Sequence, residues 1–465
     1  MTKSVDFLIV GGGIAGTTAA QTIRSLVPDS SVVILSDENY ELYSRVLLSS
    51  YIRGEITQDQ IFFKKPEWYQ ENKIELVKEV SAQKLDANEH TVVCNNGDTY
   101  QYKKLLLALG ARPIKLNVLG SQLANISYMW TIEDAQEIIS ALTIGKKGVV
   151  IGGGFIGLEF AHAFKVKGIE TILLDGSEYY WGNRLDRQSS QVIQNILEKN
   201  GIKVVAGEMV EKFTGSRNDP QKVGQVITKS GKEFDCDLVG IGVGIKSDLT
   251  WLEGSGIKVD QGVVTNEYLE TNLADIYAAG DCANFYDVII ESQHLVGTWA
   301  NAATQGVVVA KTMVDVDERT VFEAVSSYTA RFFASTCSFI GMTEEDFADE
   351  VIIRGSVSEG KIARIFVKKY PSASSGSMTR SANSGSVTRS TSHSTLRASD
   401  HSIQRISDSM NSKSSGSVTR IIGAIVVNNF GEVAQLVAAI KNKVDIIAYK
   451  AKLSDFTFNL STLIK

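Results

Sequence analysis

The chain of 465 residues is too long for one ordinary hydrophobic core and suggests about three domains. Its net charge of −6 argues against a general nucleic-acid-binding protein. No apolar run approaches the roughly 20 residues of a membrane span. The first predicted strand begins by Val5 and leaves no room for a signal peptide. The four cysteines form no CxxC or zinc-like cluster, so we expect a cytoplasmic protein with no metal site.

The first predicted unit is a strand, a glycine-rich turn and a helix. An apolar run at residues 5–10 predicts a buried strand, and a helical pattern runs from Ile14 to Leu26. Between them lie the glycines of a GxGxxG turn, Gly11, Gly13 and Gly16. Such a turn lets the pyrophosphate of a dinucleotide approach the free N–H groups at the start of the helix.

A carboxylate follows the second strand of this unit, which is predicted at residues 31–35. Asp37 lies about 20 residues beyond Gly16, the spacing of an acid that binds the ribose hydroxyls of a dinucleotide. Ser36 and Glu38 flank it, so the assignment of the carboxylate is uncertain by one residue.

The same pattern returns in the middle of the chain. A second GxGxxG turn contains Gly152, Gly154 and Gly157. The helix after it carries Glu159, and the next strand ends at Asp175, about 18 residues beyond the last glycine of the turn. An acid at this position accepts from a free 2′-hydroxyl and repels a 2′-phosphate, and residues 176–178 include no arginine, so NADH is favoured over NADPH. Two such units predict two dinucleotides and hydride transfer between a nicotinamide and a flavin.

A later strand ends at Gly280-Asp281 and predicts that the chain returns to the first domain. The fold prediction is therefore α/β, with two three-layer Rossmann-like dinucleotide-binding domains and a small α+β C-terminal domain. The predicted boundaries are 1–113 with 245–315 for the first domain, 114–244 for the second and 316–465 for the third.

These motifs resemble those of FAD-dependent pyridine nucleotide oxidoreductases with two dinucleotide domains. GGGIAG, LLLALGARP, GGGFIGLE and ETNLADIYAAGDCA occur in that order. ELYSRVLLSSYIRGE together with EWYQENKIEL is most similar to rubredoxin reductases and to the flavin domain of NADH-dependent nitrite reductases. The resemblance implies that the first glycine turn binds FAD and the second binds NAD(P)H.

The resemblance also implies roles for single residues. Asp281, after Gly280, would bond the ribityl–phosphate part of FAD, and Arg45 would lie along the flavin nucleotide. Gly110, at the end of LLLALG, would allow the backbone to approach the flavin closely. Glu159 would lie near the nicotinamide as an aligning polar group, the one candidate catalytic residue.

Two departures from the family pattern bear on the route of the electrons. Disulfide reductases of the superfamily carry a cysteine pair early in the FAD domain, whereas residues 1–93 contain no cysteine, which excludes a thiol–disulfide relay at that site. Ser50 stands where many relatives have lysine, which weakens the likeness to oxygenase-linked ferredoxin reductases. Cys282 and Cys337 are predicted to be packing residues, and His162 and His294 structural or surface residues.

The predicted function is an FAD-dependent oxidoreductase that takes hydride from NADH and passes electrons to a small carrier such as rubredoxin or ferredoxin. One alternative is an NADH oxidase or quinone-type reductase with a small-molecule acceptor. Another is a flavoprotein of slow turnover that signals its redox state to partners. The C-terminal region resembles the family's interface domain, which allows for a homodimer.

Residues 371–420 differ in composition from the rest of the chain. They are rich in serine and threonine, contain the pattern SGSxTR three times, and are predicted to be disordered. The strands KIARIFV and IIGAIVV on either side are predicted to be neighbours. The segment is interpreted either as a neutral low-complexity insert or as a phosphorylated one that changes docking to an acidic carrier.

Overall fold

The computed structural model describes residues 2–315, 317, 319–371 and 417–464. Within them the α-helices are α1 Ile14–Leu26, α2 Leu48–Arg53, α3 Pro66–Glu71, α4 Ile132–Ile144, α5 Phe155–Val166, α6 Arg187–Lys199, α7 Trp299–Val314 and α8 Val433–Lys441. Among these helices, none combines the length and the apolar composition that crossing a bilayer requires.

The strands up to the second glycine turn are β1 Thr2–Val10, β2 Val32–Leu35, β3 Ile74–Val77, β4 Ala82–Asp86, β5 Thr91–Cys94, β6 Thr99–Leu107, β7 Arg112–Pro113, β8 Ile126–Tyr128 and β9 Lys147–Ile151. Those that follow it, up to α7, are β10 Glu170–Asp175, β11 Ile202–Ala206, β12 Val210–Gly215, β13 Val223–Thr228, β14 Glu233–Asp235, β15 Leu238–Ile241, β16 Ile245–Lys246, β17 Val263–Thr265, β18 Ile276–Ala278, β19 Ala283–Asp287 and β20 Ser292–Leu295. The last five are β21 Ser327–Phe332, β22 Ser335–Gly341, β23 Glu350–Ser356, β24 Lys361–Pro371 and β25 Ser417–Val427.

The first sheet has parallel strands in the order β3-β2-β1-β6, with β18 parallel to the end of β6. Its central strands are apolar on both faces, because α1 and α7 cover one face and β4, β5 and β17 with nearby loop residues cover the other, and Leu8 and Ile9 are fully buried. Val10 lies opposite both Leu35 and Leu107, so these strands end at one edge of the sheet. That edge carries the first glycine turn, the acids after β2 and the Gly280-Asp281 pair.

The second sheet is entirely parallel, with strand order β11-β10-β9-β15-β8. Ile151 lies opposite Leu174 and Ile241, so β9, β10 and β15 also end at a common edge. Because β18 rejoins the first sheet beyond β15, the second sheet is formed by a segment inserted between strands of the first. The α/β class is confirmed.

The third large sheet is antiparallel, with strand order β21-β22-β25-β24-β23. Residues of α6 and β24 share one hydrophobic core, so this sheet packs against the second sheet's helix layer. The pairing of β24 with β25 confirms the prediction that these strands are neighbours.

The predicted edges of the serine-rich segment need a correction. Pro371 pairs with Ser417, and Ser417–Arg420 belong to β25, because the partner strand β24 extends the hairpin into a polar sequence. The predicted disorder and phosphorylation of the remainder, residues 372–416, concern positions outside the described residues.

Candidate cofactor and active site

One cavity of about 650 Å³ lies between the carboxyl edges of the two parallel sheets and the C-terminal sheet. The first sheet contributes its glycine turn, the acids after β2 and the start of α7. The second sheet contributes the start of α5 and Trp181, and the C-terminal sheet contributes Tyr328 and Phe339. Both predicted dinucleotide units therefore face the same cavity.

In the first glycine turn, the first and last glycines have no room for a side chain, and the middle one borders open space. Gly11 has φ of +120°, and a Cβ there would lie 2.0 Å from the carbonyl oxygen of Ala108. A Cβ at Gly16 would lie 2.1 Å from the Gly11 carbonyl oxygen. Gly13, which caps the N-terminus of α1, has no heavy atom within 4 Å of its Cβ position. A ligand can thus approach the backbone N–H groups at the start of α1.

Three polar residues after β2 line the cavity next to this turn. Ser36 is buried, whereas the half-exposed Asp37 pairs with Arg112 at 2.5 Å. Glu38 is more enclosed and accepts a hydrogen bond of 2.6 Å from the Tyr43 hydroxyl. Both acids that the sequence left as candidates for a ribose site are therefore at the cavity wall.

Arg45, which the resemblance would place along the flavin nucleotide, also lines the cavity. Its guanidinium pairs with Glu38 and donates to the Trp130 carbonyl oxygen at 2.7 Å. The Trp130 ring lies 5.2 Å from this guanidinium, and its buried Nε1–H has no partner among the described residues. Sequence reasoning missed Trp130, because nothing in the chain around it marks a ligand contact.

Asp281 follows Gly280 into the cavity, and no hydrogen-bond donor in the described part of the chain reaches its carboxylate. Burial raises the pKa of Asp281 to about 6, although the Arg45 charge opposes this rise. Gly280 adopts φ of +82° and donates its N–H to Gln305 at 2.7 Å, which fixes the turn. Gly110, with φ of +62° and open space at its Cβ position, also lines the cavity.

The second glycine turn repeats the cradle of the first. A Cβ at Gly152, whose φ is +101°, would lie 2.3 Å from the Gly242 carbonyl oxygen. One at Gly157 would lie 1.9 Å from the Gly152 carbonyl oxygen. The middle glycine differs, because the Cβ position of Gly154 is 3.8 to 3.9 Å from three ring atoms of Trp181.

Asp175 ends β10 as predicted, but its carboxylate does not belong to the cavity lining. It is buried and accepts hydrogen bonds from the backbone N–H of Ser177 at 2.8 Å and of Trp181 at 2.9 Å. The acid therefore holds the turn after β10, close to the backbone of Gly153.

Glu159 lies on α5 and pairs with Arg53 of α2 at 2.7 Å. Arg53 also binds Glu55 and donates to the Ser50 hydroxyl at 3.1 Å. Burial raises the pKa of Glu159, and the Arg53 charge opposes the rise. Glu159 is not part of the cavity lining, so the structure places it in a contact between α5 and α2.

The four cysteines are free and buried. Cys282 lies beside Asp281 and donates from Sγ to the Leu107 carbonyl oxygen at 3.3 Å, and burial raises the pKa of its thiol to about 12. His294, predicted to be structural or a surface residue, lines the cavity with its Nδ1 3.2 Å from the Asp287 carboxylate.

Comparison with known families gives one match over most of the chain. The family described as "Pyridine nucleotide-disulphide oxidoreductase" matches residues 5–306.

Similar proteins include an NADH oxidase of Methanocaldococcus jannaschii, 30% identical over 67% of this chain and 70% of that protein. A rubredoxin-NAD(+) reductase of Pseudomonas putida is 29% identical over 66% of this chain and 79% of its own. A nitrite reductase [NAD(P)H] of Bacillus subtilis is 30% identical over 60% of this chain, which spans only 34% of that enzyme.

Among solved structures, the covalent putidaredoxin reductase–putidaredoxin complex contains a chain similar to this one with a TM-score of 0.82 and 23% identity, over 99% of this chain and 98% of that one. The NADH:rubredoxin oxidoreductase of Clostridium acetobutylicum has a TM-score of 0.70 and 22% identity, over 96% and 97% of the two chains. These likenesses show a shared fold.

Proposed function

Because this chain belongs to the pyridine nucleotide-disulphide oxidoreductase family and is an FAD-dependent NAD(P)H oxidoreductase, we propose that NADH is its electron donor and a small redox carrier its acceptor. The observation that carries the proposal is a single cavity lined by two glycine turns, each at the carboxyl edge of its own parallel sheet. The acceptor class, rubredoxin or ferredoxin, is supported by relatives named rubredoxin-NAD(+) reductase and putidaredoxin reductase.

We assign the domains by their sheets. The first parallel sheet, from residues 1–113 and 245–315, would be the FAD-binding domain, and residues 114–244 the NADH-binding domain. The antiparallel sheet within 316–465 would be the C-terminal domain. The return of β18 to the first sheet supports the assignment of residues 245–315 to the first domain. The hydrophobic core around α8 supports a C-terminal domain within residues 316–465.

The residues of the first unit fit FAD. Gly13 leaves space at the N-terminus of α1 for a pyrophosphate, and no described residue donates to Asp281 the hydrogen bonds that a ribityl hydroxyl would supply. Asp37, with Glu38 beside it, would take the adenosine ribose, and Arg45 would neutralise phosphate charge. When bound, FAD supplies an acceptor for hydride and a donor of electrons singly or in pairs.

In the second unit, the N-terminus of α5 at Gly154 would bind the NADH pyrophosphate, and Asp175 would select the ribose that carries no phosphate. Glu159 would act as an aligning residue through Arg53, since their ion pair joins the two dinucleotide units. A contact of this kind would hold the two nucleotide-binding units, and so the two nucleotides, in one relative orientation.

The electrons would leave the flavin directly. A relay through sulfur needs a reactive thiolate, whereas the described cysteines are buried, and Cys282 is the one next to Asp281 with a pKa raised to about 12.

Rapid mixing under anaerobic conditions tests both halves of the proposal. The flavin absorbance should bleach faster with NADH than with NADPH. The reduced enzyme should then be reoxidised by rubredoxin or ferredoxin at least about tenfold faster than by a quinone or oxygen. Faster reoxidation by oxygen would favour an NADH oxidase, the second candidate, which the Methanocaldococcus relative supports by name. Slow reduction by both nucleotides would favour a redox-signalling flavoprotein.

A further inference from the structure

Trp181 covers the N-terminal end of α5. Its ring atoms Nε1, Cε2 and Cζ2 lie 3.8 to 3.9 Å from the Cβ position of Gly154, the residue that caps this helix. The indole therefore lies beside the helix N-terminus, on the cavity wall where an anion would bind. At the equivalent Gly13 of the first turn, no heavy atom lies within 4 Å. Of the two turns, the second has an aromatic ring next to its middle glycine and the first has open space there.

The indole is held by aromatic rings from two parts of the molecule. It stacks on Phe339 of β22, with ring centroids 5.3 Å apart and planes 27° apart. Phe155 of α5 meets it edge-on at 5.0 Å. Arg184, in the same turn, donates to the Thr343 hydroxyl at 3.1 Å. The C-terminal sheet thus keeps the indole in place over the second glycine turn.

The backbone of Trp181 is in an unfavourable conformation. Its φ is +52°, in the left-handed region that bulky residues rarely adopt. Its N–H donates to the Oδ2 atom of Asp175 at 2.9 Å, which holds this conformation. Asp175 is also the acid proposed to bind the NADH ribose. A ribose hydroxyl arriving at this carboxylate would weaken the contact that keeps Trp181 in place.

We propose that Trp181 controls access to the second dinucleotide site: it closes the site in the free enzyme, and the pyridine nucleotide displaces its ring from Gly154 and Phe339. This inference rests on the proposed assignment of NADH to the second glycine turn. Because only open molecules can bind the nucleotide, its apparent affinity is the intrinsic affinity multiplied by the fraction of molecules that are open. Weakening the indole's contacts should therefore strengthen nucleotide binding.

Calorimetric titration of the FAD-loaded enzyme with NAD+ tests the proposal without turnover. Trp181→Leu keeps apolar bulk but loses the stack, and we expect its Kd for NAD+ to fall about three- to tenfold, the range of an aromatic pair. Phe339→Leu removes the ring on which the indole rests and should lower the Kd in the same direction, even if the Trp181 variant folds poorly. Trp251→Leu is the matched control, because Trp251 packs in the core of the first sheet away from the cavity, and its Kd should equal that of the wild type.

A Kd that is unchanged or higher in both Trp181→Leu and Phe339→Leu would overturn the proposal, since the ring would then be a platform for the nucleotide. A wild-type enzyme that binds neither NAD+ nor NADH would contradict the assignment of the second site itself. The two failures are distinguishable because the first is read from variants and the second from the wild type.

Discussion

The two glycine turns have the same backbone cradle and different surroundings. In each, the first and third glycines touch backbone carbonyl oxygens so closely that a Cβ has no room. The first turn opens onto the cavity at Gly13, and the acid that follows Gly280 has no hydrogen-bond donor within the part of the chain that the structure describes. At the second turn an indole lies beside Gly154, and each carboxylate oxygen of its acid, Asp175, accepts a hydrogen bond from one backbone N–H group. A cofactor that stays bound suits the open turn, and a substrate that binds and leaves suits the turn beside the indole.

The largest loss of unfolding free energy is expected at the first glycine of each turn, where the two turns have the same close contact with a backbone carbonyl oxygen. Gly11→Ala and Gly152→Ala each place a Cβ 2.0 to 2.3 Å from a carbonyl oxygen at positive φ, so each should cost at least about 3 kcal/mol of unfolding free energy. Urea denaturation measures the loss. Gly97→Ala is the control, because it shares a left-handed φ of +82° but has open space, and it should cost about 1 kcal/mol. Equal losses in all three variants would show that steric contact is unimportant.

Burial of Asp281 in the first site predicts that the free energy of unfolding of the FAD-free protein depends on pH. The folded-state pKa of Asp281 is raised to about 6, above its unfolded value of 3.8. The folded protein therefore binds this proton more tightly than the unfolded chain does. The resulting gain in the free energy of unfolding is fully present below pH 4 and is lost as the pH rises to 6. Asp281→Asn should therefore match the wild type at pH 4 and exceed its stability by roughly 2 to 3 kcal/mol at pH 7. Denaturation at several pH values measures this difference. Asp260→Asn, at an exposed position, should show no such trend.

The elements with local patterns could be predicted from the sequence, and contacts between distant residues could not. The helix Ile14–Leu26 and the end of β10 at Asp175 agree with prediction, because apolar periodicity and glycine turns define them locally. The pairing of Arg53 with Glu159, 106 residues away, depends on how two sheets pack. The indole of Trp181 reaches Gly154 because the strands before these residues, β9 and β10, are neighbours in the second sheet. Ser417–Arg420 form a strand because β24 offers partners, although their composition resembles a disordered segment.

Substitution of the middle glycines should separate the two ligands. Gly13→Ala and Gly154→Ala have ordinary φ values of −72° and −74° and no steric conflict, so each should leave unfolding free energy nearly unchanged. A methyl group in the path of a pyrophosphate should weaken FAD binding about tenfold or more in the first variant only. NAD+ binding should weaken similarly in the second variant only. Equilibrium titrations with both ligands measure the two affinities, and loss of FAD in both variants would refute separate sites.

The smallest expected effect concerns the choice between the two nicotinamide nucleotides. Asp175→Ala removes the charge that would repel a 2′-phosphate, so the ratio of kcat/KM for NADH to that for NADPH should narrow about three- to tenfold. Glu178→Ala, three residues later, is the matched control, because Glu178 is exposed and pairs with Arg187 at the surface. If this kcat/KM ratio narrows in both variants, the preference for NADH would come from the overall negative charge of the turn and not from Asp175 in particular. A narrowing in Asp175→Ala alone would mean that a carboxylate buried under Trp181 still meets the ribose, which requires the turn to open when the nucleotide binds.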